Sequence, residues 1–170
     1  NVPYLFADEG LANKWRERLK SMNGDRDQVS PRLGRDFRIG INWQGRTGMG
    51  EFRTRDIPLS YFSALVRIPG VRLISLQKGA NEEELAQFGI VEPGHEWDTS
   101  AGAFMDTAAI MKNLDLVISS DTSVPHLAGA LGVPVWVALR FVPVPFVRLS
   151  GNWFVVSTLY PLTVLSSLQM

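Results

Sequence analysis

The chain has 170 residues, 45% of them hydrophobic, with 17 Lys and Arg balanced by 17 Asp and Glu and no cysteine. That length carries one domain with a sizeable core, and the neutral balance argues against a general nucleic-acid binder, which depends on excess Lys and Arg. The lack of cysteine excludes a disulfide scaffold, a cysteine zinc site and a cysteine nucleophile, and fits a reducing compartment such as the cytoplasm; no run of about 18 apolar residues offers a membrane span. The start, Asn1-Val2-Pro3, has neither an initiator Met nor a signal-peptide pattern, so the chain reads as a piece of something longer.

In chain order, 7–21 predicts a charged helix in which Leu11, Trp15 and Leu19 recur every four residues as a narrow apolar stripe. Residues 22–36 are polar with Gly and Pro and read as a linker. "FRIGINW" (37–43) predicts a strand, followed by a long glycine-containing loop. "PLSYFSALVRI" (58–68) predicts a helix with Pro58 in its first turn, where no N–H is needed. "VRLISL" (71–76) predicts a strand, "NEEELAQF" (81–88) a short helix with acids at its positive end, and "DTAAIMKNL" (106–114) another helix. "DLVISS" predicts a strand, the small-residue helix after it runs to Gly132, and "PVWVAL" (134–139) predicts the next strand. Strands alternating with helices imply βαβ units and a parallel sheet covered on both faces. From Phe141 to Met170 no acid appears and Arg148 is the only Lys or Arg. This atypical apolar tail reads either as one or two edge strands or as a segment foreign to the domain.

The stretch "SSDTSVPHLAGALG" carries the chemistry. Pro is tolerated only in a helix's first turn, so Thr122 is the expected N-cap and Pro125 the third helical residue, with Asp121 ending the strand. The N–H groups of Ser123 and Val124 would then point outward, and a helix N-terminus with free N–H groups suits a phosphate. In open α/β sheets ligands sit outside the carboxyl ends of the strands, where this turn lies. Val124, Leu127, Ala128 and Leu131 form the stripe that packs on the sheet; His126 lies off it, one turn from Thr122 and Ser123, and can face the same ligand. Gly132 is a plausible C-cap. Each residue also has a plain structural use: Thr and Asp commonly only cap helices, and a lone histidine is commonly only on the surface.

Two further loops follow strands. "SLQKGA" puts Gln77 and Lys78 at a strand's carboxyl end, where a lysine can neutralise a diphosphate. "NWQGRTGMG" has glycines that allow close backbone approach, but the dinucleotide pattern G-x-G-x-x-G is absent. Arg46, Arg53 and Arg55 are further positive charges nearby. Asp106-Thr107 reads as a helix N-cap or, alternatively, a nucleotide contact. His95 and His126 are the only histidines, far apart in sequence, so no metal site is expected without several distant carboxylates.

"GINWQG", "IPLSYFSALVRIPGVRLISLQKG" and "MDTAAIMKNLDLVISSDTSVPHLAGALGVPVWVAL" together resemble the C-terminal half of bacterial heptosyltransferase-like glycosyltransferases, above all the branch with N-terminal tetratricopeptide repeats. The resemblance covers roughly residues 1–139. It implies one lobe of a two-lobed GT-B glycosyltransferase, with 1–36 as inter-lobe helix and linker, 37–140 as a Rossmann-like α/β domain binding a nucleotide-diphosphate sugar, and 141–170 outside the family pattern. Asp121 would contact sugar or ribose hydroxyls. Thr122, Ser123 and the helix start would hold the diphosphate, supported by His126. Gln77 and Lys78 would help neutralise phosphate, and Thr107 would lie near the nucleoside. No metal or other cofactor is implied; the sugar nucleotide is a substrate. The acceptor site, and in heptosyltransferases the catalytic base, come from the other lobe, so these residues alone are expected to be inactive as a transferase. The competing expectations are a nucleotide-sugar epimerase of the same architecture, for which no convincing acid and base pair is evident, and a non-catalytic Rossmann-like interaction module.

Overall fold

The computed structural model describes residues 3–22, 34–45 and 56–140 and one strand at 153–157. Most of the expected linker at 22–36, the loop bearing Arg46, Arg53 and Arg55, and the rest of the 141–170 tail lie outside the described residues. The elements are α1 (Glu9–Ser21), β1 (Phe37–Asn42), a 3-10 turn (Leu59–Phe62) running into α2 (Ser63–Val66), β2 (Val71–Ser75), α3 (Glu82–Gln87), α4 (Met105–Met111), β3 (Leu116–Ser120), α5 (Ser123–Ala130), β4 (Val135–Arg140) and β5 (Trp153–Ser157).

The strand order is β2-β1-β3-β4-β5. The first four strands are parallel, as their apolar character implies, and all five residues of β3 are buried. The tail supplies β5, which pairs antiparallel with β4, Trp153 beside Arg140 and Ser157 beside Trp136. On one face of the sheet, Ala12, Trp15 and Leu19 of α1, Ile110 and Met111 of α4 and Ala128 of α5 pack against Ile74, Val117 and Val135. On the other, Leu59, Phe62 and Leu85 pack against Ile39, Ile41, Leu73 and Ile118. Asp115 ties the amino ends of β1 and β3 together, accepting from the Arg38 N–H at 2.8 Å and from both terminal nitrogens of Arg35 at 2.8 and 2.5 Å. Among the described residues no helix is long and apolar enough to cross a membrane.

Local chemistry explains where the sequence reading holds and where it shifts. The helix expected over 58–68 begins as a 3-10 turn, and Pro58 is the extended residue before it (φ −55°, ψ 128°) rather than a helical one. The run is short, and Leu59 and Phe62, three apart, are both buried; the tighter 3.0-residue turn lays them on one face. In α5 Leu131 is the C-cap residue and Gly132 follows it at φ 72°. The Gly132 N–H bonds the Gly129 carbonyl (3.1 Å) and the Val133 N–H the Ala128 carbonyl (2.9 Å), the two bonds of a Schellman close. An N-terminal strap lies over this end, the Tyr4 and Leu5 N–H groups both 3.1 Å from the Ala130 carbonyl.

Gly40 sits mid-strand in β1, where a Cβ would come within 2.4 Å of Leu114 Cδ1 and 2.7 Å of Leu76 Cδ1. Gly40→Ala is expected to cost about 1–3 kcal/mol by overpacking, at the lower end if both leucines can turn aside. A urea midpoint equal to that of the wild type would show that the strand has room to spare.

Candidate functional site

The chain leaves β1 for β2 on one side and returns past β1 to β3 on the other, so the topology reverses between the carboxyl ends of β1 and β3. Open α/β sheets bind ligands at such a switch point. A cavity of about 240 Å³ opens there, lined by residues that include Asn42, Gln77, Lys78, Trp97, Asp98, Phe104, Thr107, Thr122 and Ser123.

Thr122 is the N-cap of α5, as its sequence position before Ser-Val-Pro requires, with extended backbone (φ −139°). Pro125 is the third helical residue and its missing N–H breaks no bond. One expectation needs correction: the Val124 N–H is not free, because Thr122 Oγ1 accepts from it at 3.3 Å. Thr122 Oγ1 donates in turn to Asn42 Oδ1 at 3.0 Å.

Asn42 is the hub of the site and is buried, only 4% exposed. Its Nδ2 donates to Gln77 Oε1 at 2.9 Å, and the Gln44 N–H donates to the same oxygen at 3.1 Å. A backbone N–H can only donate, so this contact settles which end of the Gln77 amide is oxygen. The oxygen is committed to Asn42 and Gln44, which leaves the NH2 end, a donor, for the cavity. The carboxyl ends of β1, β2 and β3 are thereby tied by one relay, Val124 to Thr122 to Asn42 to Gln77.

Lys78 is exposed at the cavity edge. Its Nζ donates to the Asp98 carbonyl at 3.3 Å and stands 5.9 Å from the centre of the Trp97 ring, within cation–π range. Asp98 is a non-glycine residue at φ 56°. Its carboxylate accepts from the Thr107 N–H (3.0 Å) and the Thr107 hydroxyl. This corrects the reading of Asp106-Thr107 as a local cap. The N-cap position of α4 is Phe104, in left-handed conformation with no side-chain cap, and Asp98 satisfies the helix start from a distance of nine residues. Asp106 lies inside the first turn, buried, where it accepts from Trp15 Nε1 at 2.7 Å and from the Asp98 N–H at 2.9 Å.

Of the seven residues expected at the site, the structure brings Gln77, Lys78, Thr107, Thr122 and Ser123 onto one cavity. Asp121, half-buried just past the end of β3, and His126, exposed on α5, are not among its lining residues. A second cavity, about 450 Å³, lies next to the first and shares Gln44 with it; Trp43, Asp56, Pro58, Asn81 and Glu84 are among its walls. Among the lining residues outside the expected set are Asn42, Trp97, Asp98 and Phe104. Asn42 had a signal, a polar side chain closing an otherwise apolar strand, whereas Trp97, Asp98 and Phe104 sit in a stretch with no periodicity.

Near this end of β2 burial pushes the Glu92 carboxyl above its usual range, against the opposing pull of His95 and the Gly94 N–H, and its Oε2 is buried with no hydrogen-bond partner. An acid with a raised folded value stabilises the fold when protonated, and that contribution fades as pH rises from about 4.3 through the folded value. Glu92→Gln is therefore expected to gain melting temperature relative to wild type as pH rises from about 4 to about 7. A constant difference across that window would remove Glu92 from the pH dependence.

No protein-family model matches the chain. The chain is 31% identical over 138 residues to protein FlbA of Caulobacter vibrioides, a match covering 78% of this chain and 21% of that protein. The crystal structure of a family 9 glycosyl transferase from Veillonella parvula superposes with a TM-score of 0.56 at 17% identity, covering 79% of this chain and 36% of the other. The chain thus spans about a fifth of the one relative and about a third of the other. The architecture is an α/β, Rossmann-like sheet with helices on both faces, and it is the fold of part of a family 9 glycosyl transferase.

Proposed function

We propose that the switch-point cavity holds the diphosphate of a nucleotide-diphosphate sugar, and that the chain is the donor-binding half of a metal-independent glycosyltransferase of the heptosyltransferase-like kind. The observation that carries this reading is the convergence of the start of α5, the Lys78 ammonium and the donor end of Gln77 on one cavity at the carboxyl ends of β1 and β3. Positive helix end, cation and amide N–H groups together favour an anion. The family 9 likeness supplies a precedent for the fold.

In this reading Ser123 and Thr122 border the phosphates, and Lys78 with the helix start takes up the charge of the leaving diphosphate, so no metal or cofactor is called for. Thr107 lies toward the nucleoside. Asp121 and His126, outside the cavity lining, serve the sugar end. Acceptor, catalytic base and the other lobe, with or without tetratricopeptide repeats, belong to the remainder of a longer cytoplasmic protein. No catalytic role is assigned to the residues here.

The test is calorimetric titration of the intact protein with UDP, GDP, ADP and the matching sugar nucleotides. One nucleoside diphosphate is expected to bind, and Lys78→Ala to weaken it roughly ten- to hundredfold, the worth of a charge-assisted hydrogen bond. Folded protein that binds none of them, with Lys78→Ala indistinguishable, would instead favour a non-catalytic interaction module.

A further inference from the structure

A buried polar chain runs from α1 to the cavity wall. Trp15 Nε1 donates to Asp106 Oδ1, and the Asp98 N–H donates to Asp106 Oδ2. Asp98 then engages the cavity in two directions, through its carboxylate to Thr107 and through its carbonyl to Lys78 Nζ. Trp97, Asp98, Thr107 and Lys78 all line the cavity. Trp15 and Asp106 do not, and they are 91 residues apart.

We propose that Asp106 is a positioning residue for the cavity, and that through it the docking of α1 and the binding of a diphosphate strengthen one another. The ligand half of this inference rests on the diphosphate reading above; the positioning half rests on geometry alone. Asp98 is held at positive φ, a conformation that L-residues other than glycine adopt at a cost. Its N–H, side chain and carbonyl are each engaged, and the N–H contact is the one that reaches into the core. Without Asp106 the turn loses that anchor and can relax, carrying the carbonyl away from Lys78 and the Trp97 ring away from the lysine's flank. The two oxygens of Asp106 serve two different donors. An amide has one oxygen, so Asp106→Asn sets an NH2 group against either the indole N–H or the Asp98 N–H. On the far side, Trp15 is sunk in the core between α1 and α4 with Ala12 and Leu19. The carboxylate therefore senses whether α1 is docked. Coupling of this kind is reciprocal: whatever α1 contributes to ligand affinity, the ligand contributes to α1 docking.

The experiment uses the intact protein with inorganic pyrophosphate as probe. Amide exchange at Asp98 and calorimetric affinity are measured for wild type, Asp106→Asn, Lys78→Ala and the double variant. Asp106→Asn is expected to speed exchange at Asp98 about tenfold, the worth of one hydrogen bond, and to weaken pyrophosphate severalfold. That loss is expected to vanish in the Lys78→Ala background, because the turn acts through the lysine. Saturating pyrophosphate is expected to slow exchange of the Trp15 indole N–H, which a merely structural hydrogen bond would not do. Unchanged exchange at Asp98, or an affinity loss equal in both backgrounds, overturns the proposal. If Asp106→Asn does not fold, Trp15→Phe removes the donor while keeping a smaller aromatic ring in the core; faster exchange at Asp98 and weaker binding support the coupling, and no change in either overturns it. Wild-type protein that binds no pyrophosphate overturns the diphosphate reading and the coupling with it, while exchange at Asp98 still decides whether Asp106 sets the turn.

Discussion

Replacing Asn42 with leucine is expected to lower the free energy of unfolding by about 1–3 kcal/mol, the cost of taking hydrogen-bond partners from buried polar groups, because Thr122, Gln77 and Ser119 each lose one contact at once. Leucine has the same branched outline with bulkier ends, so the backbone need not move far and most of the loss is polar. Thr122 Oγ1 loses the acceptor Asn42 Oδ1, and Gln77 Oε1 loses one of its two donors. Gln77 stays buried at the end of β2, while Thr122 is half-buried past the end of β3. The Gln44 N–H still reaches Gln77, but the side-chain link that joins the ends of β1, β2 and β3 on top of their backbone ladders is cut. Urea unfolding followed by tryptophan fluorescence measures the loss. A stability within about 0.5 kcal/mol of wild type would mean that water replaces the asparagine and that the relay is not a structural unit. If the cavity takes a diphosphate as proposed, Asn42→Leu is expected to weaken it even at temperatures where the variant remains folded, because Thr122 sets the start of α5.

The second large effect is at Trp15. Trp15→Ala is expected to cost about 3–5 kcal/mol, the range for removing a large buried aromatic side chain. Trp15 is 2% exposed, its ring is packed with Ala12 and Leu19 against α4, and its N–H is spent on Asp106. Truncation opens a void between α1 and α4 and also leaves a buried carboxylate oxygen without its donor. Further bonds hold the same seam: Asn113, just past α4, donates through Nδ2 to the Ala12 carbonyl at 2.9 Å and accepts through Oδ1 from Arg16 Nε at 3.3 Å. The outcome to look for is a single cooperative transition at lower denaturant. A cost under about 1 kcal/mol would mean that α1 is an appendage whose docking adds little to the core.

These two residues also mark what could be read from the sequence. The strands and α5 were legible because their signals are local. Apolar runs bounded by Gly and Pro give β1 to β4, and Thr-Ser-x-Pro places the start of α5 to the residue. Gln77, Lys78 and Thr122 were placed together by a family resemblance and by the rule that loops at strand carboxyl ends meet. What escaped was every contact that closes over a long stretch of chain. Trp15 announced itself as a stripe residue, but its partner Asp106 looked like a helix cap from its neighbours alone. Asn42 carries a local signal, a polar residue closing an apolar strand, that the sequence analysis does not use, and its bond to Thr122 spans 80 residues and has no local mark. Phe104 at positive φ could not be foreseen, since nothing next to it calls for a left-handed residue. The first turn of the 58–68 helix was misplaced because Pro58 is as suited to the extended residue before a 3-10 turn as to a helix start.

The direction of β5 has a practical side. Parallel strands all send the loops that follow them to the same end of the sheet, and among the described strands β5 runs the other way. At Ser157 the backbone stands beside Trp136, near the start of β4, so it is heading for the rim opposite the cavity. A five-residue strand is about 17 Å long. Anything fused or attached just beyond β5 therefore begins at least that far from the cavity mouth, on the opposite rim. A fluorophore placed there would report on the ligand's arrival only through the body of the sheet, and a partner tethered there would leave the mouth open.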